Sequence, residues 1–167
     1  MRHIFLDFDR TLFDTESFYN SLEITYIEGI ISGAIGADLT KFLYPDAVSF
    51  LQYCRNADYS CHLLTFGRRN IQECKFKLTN IETYFDQLFY VEQGSKAEVI
   101  KNYLESYVSC EKAIFIDDTI GHLEDFARLM PGRTPIRMRR PGAKGSDVVD
   151  DRFKTCSNLQ ECSALLS

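Results

Sequence analysis

The chain has 167 residues, 45% of them hydrophobic and none tryptophan, a size that suits one domain burying roughly 70% of its unfolded surface without staples. Nineteen Lys and Arg against 24 Asp and Glu leave a formal charge of −5, which argues against a general nucleic-acid coat or a polybasic membrane binder. Composition alone leaves the function open, but several carboxylates occur in pairs directly behind apolar runs.

The first such run, Ile4–Phe8, predicts a short strand buried on both faces. A signal peptide needs about 7–15 uninterrupted apolar residues and a spanning helix about 20, and neither run occurs in the chain. The expectation is a cytoplasmic protein with no membrane partner. Residues 12–44 follow, with Phe18, Tyr19, Leu22, Tyr26, Ile27, Ile30 and Ile31 patterned as one amphipathic helix closed by Ser32-Gly33. This stretch is acidic (Asp14, Glu16, Glu23, Glu28, Asp38) and longer than a plain strand–helix connection needs. A helix is then predicted over Pro45–Cys54, with proline at the first helical position.

Further strands are predicted at Cys61–Phe66, Leu88–Val91 and Ala113–Ile116, and a weaker one at Pro135–Met138. Ser95 opens a helix with capping-box spacing to Glu98, and a helix near His122–Met130 stops at Pro131-Gly132. Alternating strands and helices argue for right-handed crossovers and an α/β domain, a parallel sheet covered by helices. The six cysteines, at 54, 61, 74, 110, 156 and 162, show no zinc spacing and are expected to be reduced, several of them filling the core.

The strand ends carry the chemistry. Ile4-Phe5-Leu6 leads into Asp7-Phe8-Asp9-Arg10-Thr11, His62-Leu63-Leu64 into Thr65-Phe66-Gly67, and Ile114-Phe115-Ile116 into Asp117-Asp118, while Lys96 opens the helix before that last strand. Ligands of open parallel sheets bind beyond the carboxyl ends of the strands, so these residues are expected to gather at one edge. Four clustered carboxylates repel one another unless a hard cation lies among them, and Mg²⁺ suits such oxygen donors. One carboxylate can attack phosphorus, a second can move a proton, and Thr65, the Phe66 and Gly67 amides and Lys96 can bind phosphoryl oxygens.

In this order the four segments resemble the motifs of the haloacid dehalogenase-like (HAD) superfamily. The resemblance runs from Ile4 to Asp118, and the rest fits the usual closing strand and helix. It implies one Rossmannoid three-layer domain over residues 1–167, with a five-stranded, mostly parallel sheet and a minimal helical cap at 12–44. It also implies a Mg²⁺ cofactor and an aspartyl-phosphate intermediate. Carried over by position, Asp7 is nucleophile and metal ligand, and Asp9 is general acid/base and gives its backbone carbonyl to the metal. Thr65 and Lys96 then bind the phosphoryl group. Asp118 is the preferred direct ligand with Asp117 behind it, the reverse order being the alternative. Thr11 fixes the turn. An acidic residue at position 9 is similar to the phosphatase and phosphomutase branch, whereas transport ATPases carry Thr there and the dehalogenases lack the acid.

Each residue also has a plainer reading. A D-x-D pair often caps a helix, a strand-end Thr is usually structural, and Lys96 alone reads as a surface lysine; the ordered set is far more specific than any member. His122 can touch the loop that would hold the metal, but it reads first as a helix-capping or packing residue. Arg68 and Arg69 can reach a substrate anion or simply start a solvated helix. Residues 126–146 hold six cations and no acid, so Arg139, Arg140 and Lys144 are expected to draw an anionic substrate toward Asp7, the alternative being a solvated loop.

The function expected is Mg²⁺-dependent phosphomonoester hydrolysis, on a substrate whose class the sequence leaves open. Nucleic acid enters only as a substrate, and a homo-oligomer is compatible with the sequence. The competing readings are a receiver-like signalling domain that accepts a phosphoryl group on Asp, and a non-catalytic binding protein of the same fold.

Overall fold

The computed structural model describes residues 1–107 and 112–166; Cys110 lies outside the described residues. Six parallel strands form one sheet in the order β3-β2-β1-β4-β5-β6. They are β1 (Arg2–Leu6), β2 (Tyr59–Phe66), β3 (Gln87–Val91), β4 (Lys112–Asp117), β5 (Thr134–Met138) and β6 (Lys154–Cys156). The five expected strands are all present, each with small changes at its ends. The sixth corrects the expected count: Lys154-Thr155-Cys156 buries only its cysteine, so no apolar run announces it. It pairs with β5 and covers what would otherwise be a sheet edge.

Two apolar layers sandwich the sheet, because alternate residues of each strand face opposite sides. Ile4 and Leu6 of β1 join α3 (Ala47–Asn56), Phe76 of α4 (Arg69–Lys77) and α7 (Leu159–Leu166) on one face. Phe5 and Phe115 join α5 (Lys96–Glu105) and α6 (Ile120–Leu129) on the other. The chain order of the strands reverses direction between β1 and β4, and the crevice at that switch point is where an open α/β sheet binds ligands.

The 12–44 segment differs from its expectation in one respect. Instead of one helix it forms α1 (Thr15–Ser21) and α2 (Ile24–Ile31), because Leu22 and Glu23 are extended between them. Asp14 caps α1, its carboxylate accepting the Ser17 N–H at 2.9 Å. The segment is tied to α4, where Leu39 N–H donates to Leu78 O at 2.9 Å. Pro45 likewise sits before its helix rather than in it, since α3 starts at Ala47. Ser95 caps α5 as expected, accepting the Ala97 N–H at 3.2 Å. The five described cysteines are free thiols, and four of them are buried. No helix among the described residues is long and apolar enough to cross a membrane.

Candidate active site at the carboxyl edge of the sheet

β1 and β4 lie side by side in register, Leu6 opposite Ile116, and the Asp7 N–H extends the ladder by donating to Ile116 O at 3.0 Å. Asp7 and Asp117 therefore leave adjacent strands at the same level. Oxygens of Asp7, Asp117 and Asp118 all come within 4.8 Å of one another. Lys96, at the first turn of α5, lies fully buried between two of them, with Nζ donating to Asp7 Oδ1 at 2.5 Å and Asp117 Oδ2 at 2.7 Å. Two of the three carboxylates thus share one buried ammonium, and the third, Asp118, lies beside them. Burial, with the charges of Asp117 and Asp118, lifts the Asp7 carboxyl well above the ordinary carboxylate range although Lys96 opposes the shift. Burial and Asp117 push Asp118 up to about 6.

Asp117 is saturated by protein donors. Besides Lys96 it accepts the Thr119 N–H at 2.8 Å, and His122 Nδ1 lies 3.2 Å from both of its oxygens. Burial would raise its pKa, but Lys96 and His122 together hold it below the usual value. Asp118 faces the cavity instead, with Arg10 at 3.9 Å and the Thr119 hydroxyl donating at 3.0 Å.

Asp9 has different partners. Lys75 Nζ donates to its Oδ1 at 2.6 Å, the Thr15 hydroxyl to the same oxygen at 2.7 Å, and Gln72 Nε2 to Oδ2 at 2.9 Å. Burial opposes ionisation of Asp9, yet the Lys75 charge and these three hydrogen bonds outweigh it and hold the carboxyl below its ordinary value. Lys75 is itself buried, near the rings of Phe8 and Phe13.

An open cavity of about 270 Å³ joins the two groups, bordered by Asp7, Asp9, Lys75, Lys96, Asp118 and His122, with Tyr19 and Phe66 at its rim. Thr65 does not border it, but its hydroxyl is buried with no hydrogen-bond partner among the described residues. The Gly67 N–H is committed to Val91 O at 2.9 Å, which removes it as a donor to a ligand in this conformation. Thr11 is buried and its hydroxyl has no partner among the described residues; the turn is held by backbone, with the N–H groups of Thr11, Leu12 and Phe13 all donating to Phe8 O.

Of the cations expected to meet substrate, Arg140 is engaged elsewhere. It is buried in a two-pronged pair with Asp46, at 2.7 and 2.8 Å, and donates to Thr11 O at 2.9 Å. Arg137, on the same stretch, is buried too and holds the following loop through Gly145 O and Val148 O. Arg139 and Lys144 line a crevice of about 10 Å³ beside Arg10 and Asp118, room for about one water. Arg69 pairs with Glu73 at 3.5 Å and lies over the Tyr90 ring, and neither it nor Arg68 borders the cavity.

Sequence reasoning missed Lys75, Gln72 and Thr15, and ranked capping or packing for His122 above the contact with the acidic loop that it makes through Asp117. A signal existed: Gln72, Lys75 and Phe76 lie on one face of α4, so polar residues occupy positions where its apolar stripe should be.

The donor set fits a hard divalent cation. Three carboxylate oxygens converge, one lysine offsets a single charge, and two negative charges are left over.

No family model matches the sequence, and no curated protein does either. Solved structures match along nearly the whole chain. A HAD-like hydrolase of Burkholderia xenovorans superposes with a TM-score of 0.73 at 15% identity, covering 98% of this chain and 96% of that one. A HAD-like family hydrolase of Streptococcus pneumoniae gives 0.69 at 18% identity over 100% and 99% of the two chains. The HAD hydrolase YfnB of Bacillus subtilis, solved with bound magnesium, gives 0.67 at 11% identity over 99% and 98%. With its strand order, its switch-point carboxylates and these superpositions, the chain has the fold of the haloacid dehalogenase-like hydrolases.

Proposed function

We propose that the protein is a Mg²⁺-dependent phosphomonoester hydrolase working through an aspartyl-phosphate on Asp7. The observation that carries the reading is the convergence of Asp7, Asp117 and Asp118, the first two paired with buried Lys96, while Asp9 is held apart by its own lysine. Asp7, Asp118 and the Asp9 backbone carbonyl would hold the ion, with Asp117 behind them because its oxygens are already taken. Bound there, Mg²⁺ supplies charge that offsets repulsion between nucleophile and phosphoryl oxygens.

A carboxylate oxygen of Asp7 attacks phosphorus as the bond to the leaving alcohol breaks, and Asp9 delivers a proton to that alcohol. Its lysine pair keeps Asp9 ionised in the resting site, and Asp9 takes up the proton that a monoanionic phosphomonoester carries in, a transfer the charge of the bound phosphate favours. Asp9 then takes a proton from the water that splits the aspartyl-phosphate, releasing phosphate and restoring Asp7. Lys96 orients Asp7, and the buried, unpartnered Thr65 hydroxyl lies off the cavity, so it would reach a phosphoryl oxygen only after the strand end opens toward it.

The receiver-like alternative places its acceptor after the third strand. Here that position is Glu92, whose carboxylate accepts the Arg69 N–H at 2.9 Å and takes no part in the cluster. Asp7→Asn is expected to reduce phosphate release from p-nitrophenyl phosphate to background, and EDTA to do the same reversibly. Persistent turnover in Asp7→Asn would overturn the proposal.

A further inference from the structure

We infer that the substrate's leaving group carries a planar aromatic ring close to the phosphate, as in a nucleoside monophosphate, and that Tyr19 and Phe66 receive it. The inference rests on the phosphatase reading and names the substrate class for that site. Seven large hydrophobic side chains are exposed among the described residues, and the two that border the catalytic cavity are Tyr19, 47% exposed, and Phe66, 42% exposed.

The two rings come from different elements, Tyr19 from α1 and Phe66 from the last position of β2. Each is steadied by one aromatic neighbour. Tyr19 packs edge-on against buried Phe18 at 5.0 Å, and Phe66 tilts against His122 at 5.8 Å. Both keep exposed ring surface at the rim of a floor made of carboxylates and lysine.

The polar lining makes the case sharper. Thr15, Gln72 and Lys75 are bound to Asp9, and Lys96 is bound to Asp7 and Asp117. Thr119 donates to Asp118, and Arg10 donates to Glu16 at 2.7 Å. A polar tail such as a bare sugar needs directed donors and acceptors, and Thr15, Gln72, Lys75 and Lys96 already spend theirs on the carboxylates, leaving the outer N–H groups of Arg10, His122 Nε2 and the Tyr19 hydroxyl. The tyrosine and phenylalanine ring faces are what the rim offers to the part of a substrate beyond its phosphate. A base stacked on an aromatic side chain binds on the order of 5- to 150-fold more tightly.

The test compares pairs of substrates that share a primary-alcohol leaving group and differ in the ring. One pair is adenosine 5′-monophosphate and ribose 5-phosphate; the other is benzyl phosphate and cyclohexylmethyl phosphate. With the Mg²⁺-loaded protein, kcat/KM is expected to favour the aromatic member by about tenfold or more in at least one pair. Preference in the nucleotide pair assigns a nucleotide, and preference in the benzyl pair alone assigns a small aryl tail. In a Tyr19→Ala/Phe66→Ala variant, whose fold is checked by its melting curve, that ratio should collapse toward one. Ratios near one in the unaltered protein, or a ratio that survives the double substitution, overturn the inference and leave the phosphatase reading standing. If none of the four releases phosphate and p-nitrophenyl phosphate does not either, the phosphatase reading falls and takes this inference with it.

Discussion

Asp7 and Asp9 sit two positions apart at the end of one strand, yet their surroundings reverse each other. Asp7 is buried in a group of three carboxylates and shares Lys96 with Asp117, so its charged form is disfavoured. Asp9 has Lys75 to itself, with Thr15 and Gln72 adding donors, so its charged form is favoured. One region is short of positive charge and the other is balanced. Two neighbouring carboxylates are therefore suited to the different tasks the proposed function gives them, one to meet a cation and the other, already paired, to exchange a proton.

Substitutions that remove one charge should break this contrast in opposite directions. Asp9→Asn leaves the Lys75 ammonium, 2% exposed, without its carboxylate. Removing one member of a buried pair typically costs about 3–5 kcal/mol, and a loss of that order is expected in urea unfolding of the metal-free protein. Added Mg²⁺ should stabilise both proteins alike and leave the difference between them, because the Asp9 side chain is outside the three-carboxylate cluster. A neutral outcome would mean that Lys75 does not depend on Asp9.

Asp118→Asn should do the reverse. The folded protein holds the Asp118 proton up to about pH 6, whereas the unfolded chain releases it near pH 4, so the folded state binds more protons between those values. Stability contributed by Asp118 therefore falls as pH rises through that window. At pH 7 the metal-free variant should be more stable than the unaltered protein by about 2–3 kcal/mol, a gain that vanishes toward pH 4. Mg²⁺ should stabilise the unaltered protein and act much more weakly on the variant. Loss of stability in metal-free Asp118→Asn at pH 7 would contradict the charge imbalance.

The two regions were also unequally legible in the sequence. Asp7, Lys96, Asp117 and Asp118 could be read because each is fixed by a strand end or helix start, and apolar runs mark those elements. The group around Asp9 is assembled across 63 and 66 positions of chain, from side chains inside a helix whose ends say nothing of where its face points. Arg140 shows the opposite failure: clustered charge reads as surface, but its guanidinium closes on Asp46, 94 positions away. The sixth strand escaped because pairing, rather than hydrophobicity, defines it. Charge patterns along a chain give sign and density; which charges meet is a tertiary fact.

The smallest expected effect tests whether the two regions are separable. Gly67 has φ +139°, and a Cβ there would come 2.9 Å from Gln72 Nε2, the atom that donates to Asp9 Oδ2 and Phe66 O. Gly67→Ala must therefore move the Gln72 amide and accept a backbone conformation that side chains rarely adopt. The cost is about 1–2 kcal/mol, readable as a lowered melting temperature. Asp9 keeps Lys75 and Thr15, so kcat should fall only several-fold. Mg²⁺ affinity, set by Asp7 and Asp118, should not change. Because Gln72 touches Asp9 and not the cluster, weakened Mg²⁺ binding in Gly67→Ala would show that the balanced and unbalanced regions are one coupled site rather than two.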